Sequence, residues 1–194
     1  SGKLMNYFIT VRNGNDYMID NVRKGNEKVL VARLMDAKFF YEEDTKKSLE
    51  SFVDGLDTIV FQQKLGTMRN KAERIEKSAL MLADRLGIDK AHISRAALLC
   101  KADLTTAMVF EFPELQGIMG RYYSMLDKEN PAVSEAIYEH YLPRNANDSL
   151  PQTSTGILLS LADKMDSITG FFSIGIQPTG SQDPYALRRQ AIAV

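Results

Sequence analysis

The sequence has little of what a metal centre, a disulfide framework or a membrane anchor needs. It contains one cysteine and two histidines among 194 residues, so it can form neither a three-histidine metal site nor an internal disulfide. Cys100 follows the apolar residues 96–99, which predicts a buried thiol in a reducing compartment, and we therefore expect a cytoplasmic protein. No apolar run reaches the roughly 18 residues of a membrane helix, and we expect no membrane contact.

The chain also has no excess of charge of either sign. It carries 24 Lys and Arg against 25 Asp and Glu, a net charge of -1, which is not typical of a protein whose whole surface binds nucleic acid. Any such contact must come from a local patch. A glycine-rich loop of the P-loop or dinucleotide type is also lacking, and Gly117 and Gly120 are more typical of close helix packing than of a nucleotide site.

What the chain has is helical periodicity. Apolar residues at helical spacing predict helices over 27–40, 49–65 (ending at Gly66), 75–86 (ending at Gly87), 89–100 (capped by Asp89), 114–126, 132–141 and 155–168. Residues 7–12 are rich in aromatic and β-branched side chains and precede a turn at 13–15, which predicts a strand. The expected fold class is mainly α, an irregular helical bundle with a small N-terminal β-containing fragment.

Two domains are expected from this pattern. Residues 1–55 are interpreted as the C-terminal part of a preceding α/β domain, and residues 56–194 as a helical domain. Ser1-Gly2 is typical of a remnant of a removed tag, and the last predicted helix reaches Val194 without a stop signal. We therefore expect a piece of a longer protein.

The most distinctive segment is PTGSQDPYALRR at residues 178–189. Asp183 is a suitable helix cap and Pro184 suits a first helical position, so Arg188 and Arg189 would lie one turn into a helix. Two arginines beside a Thr-Gly-Ser turn can bind a phosphate. On the residues alone, an ordinary capped helix with solvated arginines is the favoured interpretation.

This segment resembles a signature of the β subunits of bacterial-type tetrameric glycyl-tRNA synthetases. Residues 25–40 (GNEKVLVARLMDAKFF), 61–67 (FQQKLGT), 111–120 (EFPELQGIMG) and 140–143 (HYLP) resemble the same subunits, in the expected order and approximate spacing. The resemblance covers roughly residues 4–194. Several separated motifs are far more specific than one, so the resemblance does not depend on the arginine pair alone.

The resemblance implies a ligase that joins glycine to its tRNA and uses ATP with Mg²⁺ as a whole enzyme. It also implies an α2β2 tetramer, in which the α subunit holds the aminoacylation site and the β subunit mainly holds the glycine tRNA. This piece would then have no catalytic residue and no cofactor of its own. Our candidates for RNA contacts are Lys64, Arg121, Arg188 and Arg189.

Residues 64–173 also resemble the HD superfamily of metal-dependent phosphohydrolases. In that alignment Lys71 replaces the first histidine, Cys100 and Lys101 replace the His-Asp pair, and Asp163 retains the final aspartate. A lysine ammonium cannot ligate a metal and repels one. We therefore expect Lys71 or Lys101 to form an ion pair with Asp163, in a fold that has lost its metal chemistry.

Two alternatives remain open. Asp103, His140, Asp163 and Asp166 are weak candidates for a residual metal site, which would accompany an HD-type phosphohydrolase acting on nucleotides or nucleic-acid ends. The other alternative is a purely structural interface domain that does not touch RNA, which contiguous exposed apolar surface would favour.

Overall fold

A computed structural model describes residues 5–180 and 182–194. The expectation about Ser1-Gly2, and Ser181 of the Thr-Gly-Ser turn, lie outside these residues. The chain divides into two compact units, Ser1–Phe39 and Phe40–Val194. The division at residue 55 that the sequence suggested stays a prediction.

The described residues are mainly α-helical. The α-helices are α1 (Ile19–Asp44), α2 (Met68–Leu86), α3 (Ala91–Leu99), α4 (Ala107–Glu111), α5 (Ile118–Leu126), α6 (Pro131–Glu139), α7 (Ser154–Ser173) and α8 (Leu187–Ile192). Short 3-10 helices cover Leu49–Asp57, Ala102–Thr105 and Pro113–Leu115. Strands β1 (Val60–Gln62) and β2 (Gly66–Thr67) form an antiparallel hairpin in which Val60 lies opposite Thr67. The mainly α fold with a small β element is thus confirmed.

The start and the end of helix α2 are both set by local sequence. The Thr67 hydroxyl accepts a hydrogen bond from the backbone N–H of Asn70, and the Asn70 side chain accepts one from the Thr67 N–H, which satisfies two free donors at the helix start. The helix ends at Gly87, whose φ of 68° is the left-handed conformation that glycine adopts without strain. The predicted end at Gly87 is confirmed.

Helix α3 lies at the centre of the Phe40–Val194 unit. Ile93, Ala96, Ala97 and Leu99 are fully buried, and α2, α6 and α7 pack against the helix. Asp89 accepts a hydrogen bond from the N–H of Ala91 at the helix start. These observations confirm the prediction of an apolar central helix.

Two buried carboxylates fix the starts of other helices. Asp44 accepts hydrogen bonds from the first two N–H groups of α4 and from the Tyr123 hydroxyl. Glu139 accepts bonds from the N–H groups of Gln152 and Thr153, just before α7. Because such N–H groups have no partner within their own helix, these bonds anchor helix ends to the core.

Two elements differ from the sequence prediction. The predicted helix over 49–65 is a 3-10 helix that ends at Asp57, followed by the β1–β2 hairpin. Leu49, Val53 and Leu56 are buried at the i, i+4, i+7 spacing of an α-helix, so the apolar pattern did not reveal the 3-10 backbone. Residues 7–12 form no strand, because no described segment pairs with them. The observed β element therefore lies at 60–67 and not near the N-terminus.

The start of the last helix also differs. Helix α8 begins at Leu187 and not at Pro184, because Ala186 adopts a left-handed conformation with a φ of 52°. The Asp183 carboxylate still caps the helix, since it accepts hydrogen bonds from the N–H groups of Leu187 and Arg188. The predicted cap is therefore confirmed. The prediction that Pro184 occupies the first helical position is wrong.

None of the helices in the described part of the chain combines the length and apolarity that spanning a membrane requires.

Candidate functional site

A cavity of about 460 Å³ opens between α2, the ends of α3 and α6, α7 and the segment that leads into α8. We call it the basic cavity, because five cationic side chains line it against two carboxylates. The cations are Lys71, Lys101, Arg144, Lys164 and Arg189, and the carboxylates are Glu114 and Asp163. Its lining includes Lys71, Lys101 and Asp163, three of the four positions at which the HD resemblance would place metal ligands, together with Arg189 of the 178–189 segment.

The floor of the basic cavity is an ion cluster around Asp163. Its Oδ1 lies 2.8 Å from Lys71 Nζ and its Oδ2 lies 2.7 Å from Lys101 Nζ. Burial alone would raise the pKa of Asp163, but Lys101 and Lys71 hold this pKa well below its usual range. The ion pair expected from the sequence is confirmed, and both lysines take part rather than one.

A second carboxylate completes the floor. Asp166 Oδ2 lies 3.1 Å from Lys71 Nζ, and Asp166 binds the Arg74 guanidinium through both of its oxygens. Lys71 also donates to the Ser167 hydroxyl and to the Asp163 carbonyl. The ammonium of Lys71 is thus surrounded by acceptors, and its side chain is 4% exposed.

His140 lies at the inner wall of the cavity as a neutral imidazole. Burial, followed by the nearby charge of Lys101, lowers the pKa of His140 well below its ordinary value. Its Nδ1 lies 2.7 Å from the Ile137 carbonyl oxygen. Since a carbonyl only accepts, Nδ1 carries the proton and Nε2 keeps a lone pair. This buried Nε2 has no hydrogen-bond partner among the described residues.

Asp103 has a separate role. It is fully buried, and its Oδ2 accepts hydrogen bonds from the N–H groups of Gly117 and Gly120 at 2.5 and 3.1 Å. Burial raises the pKa of Asp103 to about 6. A side chain at Gly117 would meet the Tyr141 ring, and its φ of 77° favours glycine. Asp103 therefore ties the start of α5 to the core.

The four weak metal candidates are not brought together as a ligand set. Among residues 5–180 and 182–194, no group of three His, Cys, Asp or Glu side chains is arranged to hold a metal ion. The reason is visible in the floor, where ammonium groups lie beside Asp163 and Asp166. A cation in these positions repels a metal ion.

Lys164 is a cavity residue that the sequence reasoning missed. Its Nζ donates to the Leu142 carbonyl at 2.7 Å, to the Ser160 hydroxyl at 2.6 Å and to the His140 carbonyl at 3.4 Å. All three acceptors are neutral, and burial lowers the pKa of Lys164 to about 8. Its position next to Asp163 on a predicted helix was the available signal.

The four RNA candidates lie in different surroundings. Arg189 is exposed at the mouth of the cavity, and its side chain makes no hydrogen bond or ion pair within the described part of the chain. Arg188 instead donates to the carbonyls of Thr179 and Gly180 and so holds the turn before α8. Lys64 is exposed in the β1–β2 turn.

Arg121 is engaged elsewhere. Its Nη1 lies 3.2 Å from both carboxylate oxygens of Glu135, and its guanidinium lies 4.7 Å from the centre of the Tyr138 ring. Of the four candidates, the structure thus brings Arg189 to the cavity.

Two further cavity residues have no clear signal in the sequence. Arg144 lies at the mouth, where its Nε donates to Asp148 at 2.8 Å. The Tyr141 ring lies 4.0 Å from Lys101 Nζ, and its buried hydroxyl has no hydrogen-bond partner among the described residues. Burial raises the pKa of Tyr141 well above its ordinary value, so the hydroxyl keeps its proton.

Comparison with known proteins gives a consistent result. The model of the family described as glycyl-tRNA synthetase beta subunit matches residues 1–194. The chain is 62% identical over 195 residues to the glycine–tRNA ligase beta subunit of Clostridioides difficile (strain 630), covering 100% of this chain and 28% of that relative. It is 52% identical over 197 residues to that of Bacillus subtilis (strain 168), covering 100% of this chain and 29% of the relative. The chain thus spans less than a third of these relatives.

Proposed function

The chain belongs to the glycyl-tRNA synthetase beta subunit family, and from this membership we propose that it is part of a glycine–tRNA ligase. The observation that carries the proposal is the family match over residues 1–194. In the proposed enzyme, which works in the cytoplasm as an α2β2 tetramer with ATP and Mg²⁺, the α subunit holds the aminoacylation site. This chain contributes to tRNA binding and to subunit architecture.

The described residues do not fit a magnesium–ATP site. Magnesium prefers carboxylate oxygens, but Asp163 and Asp166 are already paired with Lys71, Lys101 and Arg74. We therefore assign no step of glycine activation to this chain. We also propose that residues 56–194 form an HD-like domain in which lysines occupy metal-ligand positions and pair with Asp163. These cations repel a metal ion and so count against a metal-dependent phosphohydrolase.

The proposed tRNA contact depends on local cations, because the net charge of the chain is -1. Arg189 supports it best, since its guanidinium is exposed and makes no ion pair within the described residues. Arginine side chains bind phosphate oxygens and so position an RNA without reading its sequence. Lys64 is a second exposed cation that remains available for such a contact.

A titration of fluorescent glycine tRNA with this chain tests the proposal. We expect binding at about 50 mM salt that weakens strongly at about 200 mM, because each neutralised phosphate releases counterions. An unrelated tRNA serves as the control for specificity. No binding at the lower salt, by a chain whose circular dichroism shows it to be folded, would contradict a role in tRNA binding.

A contribution to subunit architecture is supported by the surface of α1. Val31, Leu34 and Met35 are 58%, 57% and 63% exposed, and their i, i+3, i+4 spacing places them on one face of the helix. Because this chain spans 28% of its C. difficile relative, we propose that this face packs against the remainder of the β subunit.

Thiol labelling tests this contact. Val31→Cys in the isolated chain should react quickly, with the unsubstituted chain as control because Cys100 is buried. The same variant, placed within the full-length C. difficile subunit in exchange for its matching segment, should react at least tenfold more slowly. Equal labelling rates in the two settings would contradict the contact.

A further inference from the structure

The basic cavity has the size and polarity of a ligand site. Its volume of about 460 Å³ falls in the range of pockets that bind small molecules, roughly 300–1,000 Å³. Its cationic side chains outnumber its carboxylates by five to two, and His140 adds no charge. An excess of positive charge in a concave site favours an anionic ligand.

One of these cationic side chains, Lys101, has hydrogen-bond donors to spare. An ammonium carries three N–H donors, and Lys101 Nζ uses one of them within the described residues, for Asp163 Oδ2. Lys71 and Lys164 instead donate three hydrogen bonds each. Lys101 can therefore donate to a ligand directly, whereas Lys71 and Lys164 contribute only charge.

Further donors lie beside Lys101 and at the mouth. The Tyr141 hydroxyl is buried without a partner, and its ring lies 4.0 Å from Lys101 Nζ. At the mouth, the Arg189 side chain is exposed and makes no hydrogen bond within the described part of the chain, and its charge acts on Asp183 only at a distance. A buried polar group without a partner is costly in an interior, so the unused Tyr141 hydroxyl indicates a ligand with acceptor oxygens.

One group in the wall, the imidazole of His140, needs a hydrogen-bond donor instead. His140 Nε2 holds a lone pair and has no partner among the described residues. The His140 and Tyr141 rings are adjacent, with centroids 3.9 Å apart. A ligand that satisfies both groups carries acceptor oxygens together with a hydroxyl or N–H group. A phosphate ester of a sugar has both.

We propose that the basic cavity binds a phosphate monoester that carries a hydroxyl group, of about the size of a nucleoside monophosphate, and holds it without cleaving it. Lys101, Tyr141 and Arg189 donate to the phosphate, and His140 Nε2 accepts from the hydroxyl. This site goes beyond the proposed function, because a tRNA contact needs only surface cations. The phosphate can belong to a free nucleotide or to the 5′ end of a tRNA, since the internal phosphates of an RNA are diesters, and competition distinguishes these sources.

Calorimetric titration of the 194-residue chain with AMP tests the proposal. We expect AMP to bind and adenosine not to bind, because the donors need the phosphate. Arg189→Gln should weaken AMP binding about tenfold, the effect of losing one charge-assisted hydrogen bond. Tyr141→Phe, which removes a single oxygen, should weaken it a few-fold. Arg85→Gln is the matched control, because Arg85 is exposed and does not line the cavity.

Three results would overturn the site. These are no AMP binding at millimolar concentration by the folded chain, equal binding of AMP and adenosine, and AMP affinities of Arg189→Gln and Tyr141→Phe that match that of Arg85→Gln. Release of inorganic phosphate from bound AMP would overturn the claim that the ester stays intact.

A competition arm assigns the source of the phosphate. If glycine tRNA displaces AMP, the site takes a phosphate of the tRNA; if both bind together, it takes a free nucleotide. Failure of AMP to bind while tRNA still binds would reject the cavity site and leave the proposed function standing.

Discussion

The floor and the mouth of the basic cavity use the same kinds of charge in opposite ways. In the floor, Lys71 and Lys101 are 3% exposed and lie within ion-pair distance of Asp163. At the mouth, the Arg189 side chain is exposed and makes no hydrogen bond or ion pair within the described residues. The floor charges form ion pairs with one another, and Lys101 keeps spare donors for a ligand, whereas the exposed guanidinium at the mouth is held by no ion pair among the described residues.

This difference separates structural residues from binding residues. A buried ion pair contributes little compared with apolar side chains of the same size, but the loss of one partner leaves a costly unpaired charge. An exposed cation can be removed at little cost to stability. We therefore expect substitutions in the floor to change folding, and substitutions at the mouth to change binding.

The largest effect is expected from Asp163→Asn. The substitution leaves the buried ammonium of Lys101 without its carboxylate, since Lys101 pairs with Asp163 alone among the described residues. We expect the free energy of unfolding to fall by about 3 kcal/mol. Urea unfolding followed by circular dichroism measures this change.

The double variant Lys101→Met/Asp163→Asn is the control. It removes both charges, and Lys71 keeps Asp166 as its partner, so we expect at least half of the lost stability to return. A double variant that is less stable than Asp163→Asn would show that the ion pair is not the cause.

A smaller effect is expected from acid. The pKa of Asp163 is lower in the folded chain than in the unfolded chain, so its ionisation stabilises the fold above pH about 4, the unfolded value. This stabilisation is lost progressively as the pH falls below that value, because Asp163 of the unfolded chain then takes up a proton while the folded chain still holds it ionised. Lys71 and Lys101 face this carboxylate at ion-pair distance.

Unfolding experiments from pH 6 down to pH 3 measure the acid effect. The wild type should lose more stability than Asp163→Asn over the same range, because the variant has no carboxylate at this position. Equal losses in the two proteins would assign the acid sensitivity to other groups.

Part of this contrast follows from the sequence alone. The pairing of Asp163 with lysine follows from the charge types at the aligned positions, and the end of α2 follows from Gly87. The helix predicted over 49–65 was wrong, because Leu49, Val53 and Leu56 have the i, i+4, i+7 spacing of an α-helix although their backbone is a 3-10 helix that ends at Asp57. The sequence carries no signal that Leu65 belongs to a hairpin.

The wall of the cavity was less predictable than its floor. Tyr141 and Arg144 follow the end of α6 and line the cavity, and such tertiary contacts leave no periodic pattern. The prediction of a strand over 7–12 was wrong because a strand needs a partner strand, and no described segment pairs with these residues.

The smallest effect on stability is expected at the mouth. Arg189→Gln should change the free energy of unfolding by less than about 0.5 kcal/mol, because the exposed side chain makes no hydrogen bond within the described residues. A much larger loss in the same urea experiment would mean that Arg189 is a structural residue, and would remove the contrast between floor and mouth.

The most direct test of the account is the glycine tRNA titration repeated with Arg189→Gln and with Arg85→Gln. We expect Arg189→Gln to bind more weakly and to reduce the slope of log affinity against log salt by about 1, as the loss of one phosphate contact requires. Arg85→Gln should behave as the wild type. Identical affinities and salt slopes for the two variants would contradict the claim that the mouth of the basic cavity binds tRNA phosphate.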